Sequence, residues 1–158
     1  MKTVVGVSDF RVSSDIDEII ITYALGSCLG IALYDPLVKV GGLLHVMLPL
    51  SKANPSKARR KPAMYVDTGL KLILEEMYRK GARKTNLDIS VAGGASMGRG
   101  REDYFKIGKR NFTVFRKILW KNGLMIAAQD VGGSKARTMA LRVANGEISI
   151  NKKRLQPG

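Results

Sequence analysis

The stretch Cys28-Leu29-Gly30-Ile31-Ala32-Leu33-Tyr34-Asp35-Pro36-Leu37-Val38-Lys39-Val40-Gly41-Gly42-Leu43-Leu44-His45 consists of two short apolar runs broken by a turn signal. Runs of this length, rich in Leu, Ile and Val and bounded by Gly, Asp and Pro, read as strands. Asp35-Pro36-Leu37-Val38 puts proline where its restricted φ suits the second position of a tight turn, so the two strands should form an antiparallel hairpin. With Pro36 and Leu37 at the turn's centre, Cys28 stands directly opposite His45, Leu29 opposite Leu44, Ile31 opposite Gly42 and Leu33 opposite Val40. The apolar pairs make a core face. Cys28 and His45 share the other face with Gly30, Ala32 and Gly41, whose small size leaves room. Directly opposed residues have Cβ atoms about 4.5–5.5 Å apart, near enough for a thiol and an imidazole to meet. Gly41-Gly42 is a place for a bulge, which would slip the register by one and turn His45 to the other side.

Outward from the hairpin, residues 4–10 and 18–25 read as strands before it, and the hairpin strands extend over 29–34 and 38–48. The period then changes. Val66, Leu70, Ile73, Leu74 and Met77 recur at helical spacing and predict a helix over 62–80, with Pro62 in its first turn and Gly81 as its stop. Residues 87–92 read as a strand. A second helix is predicted over 109–122, with Phe112, Phe115 and Leu119 inward and Gly123 closing it. Strands at 124–131, 138–144 and 147–151 follow, the last two joined across Asn145-Gly146. The pattern predicts an α/β (α+β) fold of mixed, largely antiparallel sheets and disfavours a doubly wound sheet. At 158 residues, 45% hydrophobic, with no internal repeat, residues 1–158 should form one domain with a sizeable core.

The chain contains one cysteine and one histidine. It can form no internal disulfide, no Cys-x-x-Cys pair and no Cys/His zinc cluster, which suits a reducing cytoplasm and implies neither metal nor cofactor. The apolar run at 4–7 is too short for a signal peptide, and the longest uncharged stretch, residues 19–34, falls short of the roughly 20 residues of a bilayer span. Membrane insertion is therefore not expected.

The same two singletons narrow the chemistry. Any Cys/His or Ser/His/Asp site must use His45. A thiol next to an imidazole supports acyl transfer: the base takes the thiol proton, sulfur attacks an acyl carbon, and the imidazolium protonates the departing amine. Gly26 and Ser27 suit a tight turn whose backbone N–H groups, with that of Cys28, could hold an oxyanion. A carboxylate is the commoner partner for such an imidazole, and Asp130 is the nearest choice on residue type. The bland alternative is an inert thiol and a buried histidine. Gly26-Ser27-Cys28-Leu29-Gly30 also spells the nucleophile-elbow pattern, but Asp35-Pro36 leaves no length for the helix that an elbow requires. Residues 93–100 contain a phosphate-loop spacing without its Lys-Ser/Thr, and read as a surface loop.

A net charge of +14 permits nucleic-acid binding. No helix-turn-helix, RNA-recognition or zinc signature accompanies it, so no specific nucleic-acid partner is expected. Lys52, Lys57, Arg59, Arg60 and Lys61 form the densest cluster, which reads as a solvated loop or, functionally, as a docking surface for an acidic partner. A basic nucleic-acid- or protein-binding module without catalysis is the rival to the enzyme reading.

Five segments carry a family resemblance: Thr22-Tyr23-Ala24-Leu25-Gly26-Ser27-Cys28, His45-Val46-Met47-Leu48-Pro49, Ala92-Gly93-Gly94-Ala95-Ser96-Met97, Ile107-Gly108-Lys109-Arg110-Asn111 and Asp130-Val131-Gly132-Gly133. Together they resemble the CheD family, the chemoreceptor glutamine deamidases of bacterial and archaeal chemotaxis. The resemblance implies a cysteine hydrolase that converts glutamines on the cytoplasmic helices of chemoreceptors to glutamate and releases ammonia. It implies Cys28 as nucleophile, His45 as base and acid, and Thr22 as the group that orients the imidazole. It also implies a toxin-deamidase-like fold with layered sheets and outer helices, a CheC-type phosphatase as inhibitory partner, and Ser96, Met97 and Phe105 as substrate or partner contacts. Ala24 stands where many relatives have glycine.

Overall fold

The computed structural model describes residues 1–96 and 106–154. Among them nine strands form two sheets. The first sheet holds β1 (Lys2–Val4), β3 (Ile19–Leu25), β8 (Lys135–Arg142) and β9 (Ile148–Arg154) in that order. The second has the order β2 (Asp9–Ser13), β5 (Val40–Val46), β4 (Leu29–Asp35), β6 (Asp88–Gly93) and β7 (Ile126–Val131). Only β1–β3 and β6–β7 pair in parallel. Three helices, α1 (Pro55–Arg60), α2 (Val66–Arg79) and α3 (Ile107–Lys121), complete the described elements, together with single 3₁₀ turns. No described helix is long and apolar enough to cross a membrane.

The hairpin of β4 and β5 is the middle layer, and every residue of both strands is buried. One face, with Leu29, Ile31, Leu33, Leu44 and Val46, packs against Val66, Leu70, Ile73 and Met77 of α2 and Phe115 and Leu119 of α3. The other face, with Ala32 and Leu43, packs against Ile20, Leu25 and Met139 of the first sheet. Two covered faces explain why these strands read as continuous apolar runs rather than alternating ones. Each fully buried Leu or Ile contributes about 1.5–3 kcal/mol.

The register differs from the one the turn predicted. Gly30 faces His45, Leu29 faces Val46, Ile31 faces Leu44 and Leu33 faces Gly42, so the pairing is slipped by two residues and Cys28 is not directly opposite His45. The cause is Asp35. Its carboxylate accepts from the N–H groups of Leu37, Val38 and Arg83, and Lys39, at φ +55°, donates its N–H to the Asp35 carbonyl at 2.9 Å. These bonds open the two-residue turn into a four-residue loop. A slip of two, unlike a slip of one, keeps every side chain on its face.

Other departures have similarly local causes. Residues 4–10 are not one strand, because the chain leaves β1, turns through Gly6 and through Ser8 at φ +61°, and enters the opposite sheet as β2. The predicted helix over 62–80 is a 3₁₀ turn, Pro62–Met64, followed by α2. The basic stretch is not a loop throughout: Asn54 caps α1 by accepting from Lys57 N–H, with Pro55 in the first turn, and its five cations are exposed. The β8–β9 connection runs over four residues, closed by Arg142 and Glu147, with Gly146 at φ +76°.

Candidate active site

The two sheets meet at Thr22 and His45, both fully buried. Thr22 lies on β3 just before a bulge, where Thr22 pairs with Met139 but Leu25 with Arg137, so one extra residue is inserted. Ala24 in that bulge sits at φ +59°, a conformation that favours glycine. The Thr22 hydroxyl donates to the Val5 carbonyl at 2.7 Å. Its only proton is thereby used, so at the 2.7 Å contact with His45 Nδ1 the hydroxyl must accept. The ring proton therefore resides on Nδ1 and Nε2 presents a lone pair. Among the described residues Nε2 has no hydrogen-bond partner. Burial pushes the imidazole down to about 4, so it is neutral near pH 7.

Cys28 lies one residue before β4 and two before Gly30, the residue that faces His45. It is half-buried and packs against the inter-sheet cluster, the side on which His45 meets Thr22. The small residues there do not leave an empty space: a Cβ at Gly30 would lie 2.7 Å from Leu25 Cδ1 and 3.1 Å from Met139 Sδ.

The backbone before Cys28 is held from three directions. The Gly26 carbonyl accepts from Ala95 N–H at 2.8 Å, the Ser27 carbonyl from Asn111 Nδ2 at 3.0 Å and the Cys28 carbonyl from Gly94 N–H at 2.9 Å. Gly93, at φ +110°, permits the last bond, since a Cβ there would stand 2.1 Å from the Cys28 carbonyl oxygen. The Gly93 carbonyl in turn accepts from Gly132 N–H and from the buried Arg137 guanidinium. The three anchored carbonyls constrain the peptide planes whose N–H groups belong to Ser27, Cys28 and Leu29.

Asp130 does not approach the imidazole as its orienting carboxylate. Its Oδ1 is 3.1 Å from both Arg137 Nη2 and Lys152 Nζ; burial pushes the carboxyl's pKa up, but these two cations together outweigh it and hold the pKa below the ordinary carboxylate value. Ser96 is exposed and donates its N–H to the Gly133 carbonyl. Met97 and Phe105 lie outside the described residues, as does most of the phosphate-loop spacing. A largely apolar cavity of about 350 Å³ opens beside Ser27, between Gly94–Ser96, the start of α3 with Phe112, and Val131–Gly133.

Residue-type reasoning alone passed over Asn111 and Arg137. The signal for each is a polar residue on an apolar face. Asn111 falls among Gly108, Phe115 and Leu119 on the buried stripe of α3, and Arg137 alternates inward with Met139 and Leu141 on β8.

A family model described as "CheD chemotactic sensory transduction" matches residues 47–152. The chain belongs to the CheD family. Among its relatives is "Probable chemoreceptor glutamine deamidase CheD 1" of Syntrophus aciditrophicus, 44% identical over 147 residues, covering 93% of this chain and 91% of that protein. A second, "Probable chemoreceptor glutamine deamidase CheD" of Solibacter usitatus, is 42% identical over 151 residues, 96% of this chain and 89% of the relative. The protein of the same name from the archaeon Pyrococcus abyssi is 44% identical over 149 residues, 94% and 90% of the two chains. Membership accords with the layered, largely antiparallel architecture.

Proposed function

We propose that this chain is a protein-glutamine deamidase acting on chemoreceptors in the cytoplasm, with residues 1–158 as one catalytic domain. The observation that carries the reading is the relay from His45 Nδ1–H to the Thr22 hydroxyl to the Val5 carbonyl, which leaves Nε2 as a base in the layer where Cys28 packs. The relatives' names supply the substrate class.

In this mechanism His45 Nε2 accepts the Cys28 thiol proton, and sulfur attacks the carboxamide carbon of the glutamine. Negative charge on the carboxamide oxygen is held by backbone N–H groups at Ser27 and Cys28, whose peptide planes are already constrained. The C–N bond breaks, the imidazolium gives its proton to the departing nitrogen, and ammonia leaves behind a thioester. Water then loses a proton to Nε2 and adds to the thioester carbon. Collapse breaks the C–S bond, the imidazolium reprotonates sulfur, and the product is glutamate. Carboxamide and water become carboxylic acid and ammonia, with the enzyme unchanged. Burial makes the imidazole a weak base, which disfavours removal of the thiol proton, and by the same measure makes the imidazolium, once formed, a ready donor to the leaving nitrogen. Thr22 orients the ring through a neutral hydroxyl and adds no charge. The exposed cations of α1 and its flanks form a docking surface for an acidic partner, and a CheC-type phosphatase is the expected regulator.

The test is incubation with a cognate receptor and mass spectrometry of its glutamines. Conversion to glutamate is expected with the wild-type protein and none with Cys28→Ala. Equal conversion by Cys28→Ala would eliminate the thioester route.

A further inference from the structure

Asn111 is a fully buried polar side chain on a helix stripe that is otherwise apolar. Burying a side-chain amide costs free energy unless hydrogen bonds compensate. Its Nδ2 sends one hydrogen bond to the Ser27 carbonyl and one to the Met47 carbonyl, both at 3.0 Å. Two carbonyl acceptors require the NH₂ end of the amide at that position, and its two protons match the two bonds. The Oδ1 end has no partner among the described residues. Among the described residues the amide is thus committed to its donor side.

What they join is specific. Ser27 immediately precedes Cys28, and Met47 lies two residues beyond His45, past the end of β5. These segments are close in space only because β4 and β5 pair, and neither Ser27 nor Met47 lies within those strands. The ladder ends at Leu29 and Val46, so Ser27 and Met47 lie just beyond its last pair, and the amide bonded to both carbonyls ties the cysteine turn directly to the exit of the histidine strand. Helix α3 brings it there by close contact: a Cβ at Gly108, one turn earlier, would lie 2.5 Å from the Ala95 carbonyl oxygen.

We infer that Asn111 is a positioning residue that sets the spacing of the Cys28 thiol and the His45 imidazole by tying the Ser27 and Met47 carbonyls to one helix. It touches neither sulfur, imidazole nor substrate. The inference rests on the deamidase reading above. Displacing a reacting group by about 1 Å can cost on the order of 100-fold in rate. The receptor-binding surface, which does not include Asn111, should be unaffected.

The experiment uses full-length Asn111→Ala and Asn111→Ser, the latter keeping a single donor, beside Leu119→Ala as a destabilised control two turns further along the same buried stripe. Receptor deamidation kinetics and the pH profile of Cys28 alkylation by iodoacetamide are measured below each variant's melting temperature. The expected result is a kcat loss of roughly 10- to 100-fold in both Asn111 variants with KM changed by less than about twofold. The alkylation profile should move toward that of an ordinary thiol. Leu119→Ala should melt earlier but keep the wild-type kcat and profile. Should Asn111→Ala not fold, the Asn111→Ser comparison decides. Wild-type kcat and alkylation profile in a folded Asn111 variant, or an equal kcat loss in Leu119→Ala, overturns the inference. Cys28→Ala in the same assay separates the two readings: if it still deamidates, the thioester mechanism fails, and if it is inactive while Asn111→Ser matches wild type, only the clamp fails.

Discussion

Two buried polar links cross between the sheets beside β3, and they are built differently. At its start, the Glu18 carboxylate accepts from Arg11 Nε at 2.7 Å, Arg11 Nη2 at 2.8 Å and Ser13 Oγ at 3.0 Å, both partners lying on β2 of the opposite sheet. Four residues on, Thr22 accepts from His45 of β5. In the first link both carboxylate oxygens are bonded and the charge is matched, with the Arg11 hydrogen bonds outweighing burial and drawing the carboxyl down to about 2. In the second the imidazole is neutral and one ring nitrogen has no partner among the described residues. A buried polar group with every atom satisfied holds a fold together, whereas a titratable one oriented on one side and open on the other is equipped to exchange a proton.

The largest expected effect is on the open link. Thr22→Val keeps the side chain's shape but leaves the His45 Nδ1–H and the Val5 carbonyl without their partner. The ring proton can then shift to Nε2, so kcat should fall by about 10- to 100-fold, equivalent to roughly 1.4–2.7 kcal/mol. Thr22→Ser, which keeps the hydroxyl, should recover most of it. Steady-state deamidation with both variants makes the check, and full activity in Thr22→Val would erase the contrast between the two links.

Glu18→Gln should act on stability instead. Glutamine offers one acceptor oxygen, so one of the two Arg11 bonds is lost and the other is no longer charge-assisted, while Arg11, 45% exposed, stays hydrated; the loss should be about 1–3 kcal/mol with kcat unchanged. Acid sharpens the point. The folded carboxyl is depressed, so its contribution is complete above about 4.5 and declines as pH falls from there through about 2. His45 loses stability in a higher window, from its ordinary 6.5 down to about 4, because the unfolded imidazole takes up a proton that the buried one refuses. Urea midpoints across pH should show both declines in the wild type and a reduced lower one in Glu18→Gln, the remainder coming from Asp35 and Asp130, whose carboxyls are also depressed. If the variant retains the lower decline undiminished, Glu18 is not its source.

The smallest effect concerns the bulge that follows Thr22. Ala24→Gly relieves a left-handed alanine but gives the unfolded chain more freedom, for a net gain below about 1 kcal/mol. A lower urea midpoint would mean that the methyl group contributes more than the strain costs.

Much of the fold was legible because its signals are local. The Asp35-Pro36 turn, the helical spacing of Val66, Leu70, Ile73 and Met77, and the Asn145-Gly146 connection all identify elements found in the structure. The hairpin register was not, since the Asp35 side chain's hydrogen bonds, including one to Arg83 far along the chain, lengthen the turn. The slip of two residues left His45 on its expected face. The helix in the basic stretch was signalled by Asn54-Pro55 but hidden by the surrounding charge. Asp130 suited the orienting role by residue type alone, and its position beside Arg137 and Lys152 is a product of how β7, β8 and β9 end.

The sequence by itself determined which groups are available. One thiol and one imidazole admit a single Cys/His pairing, and the strand periodicity around them specifies a buried hairpin. Tertiary structure decided what surrounds that pair. Thr22 and His45 belong to different sheets, and their hydrogen bond exists because two sheets stack across a core of Leu25, Ala32, Leu43 and Met139. The ring tautomer follows from the hydroxyl's bond to Val5, the acidity of the imidazole from its burial, and the hold on the cysteine turn from Gly94, Ala95 and Asn111. Residue type and local period are properties of the chain, whereas desolvation and hydrogen-bond partnership arise only when distant segments pack together.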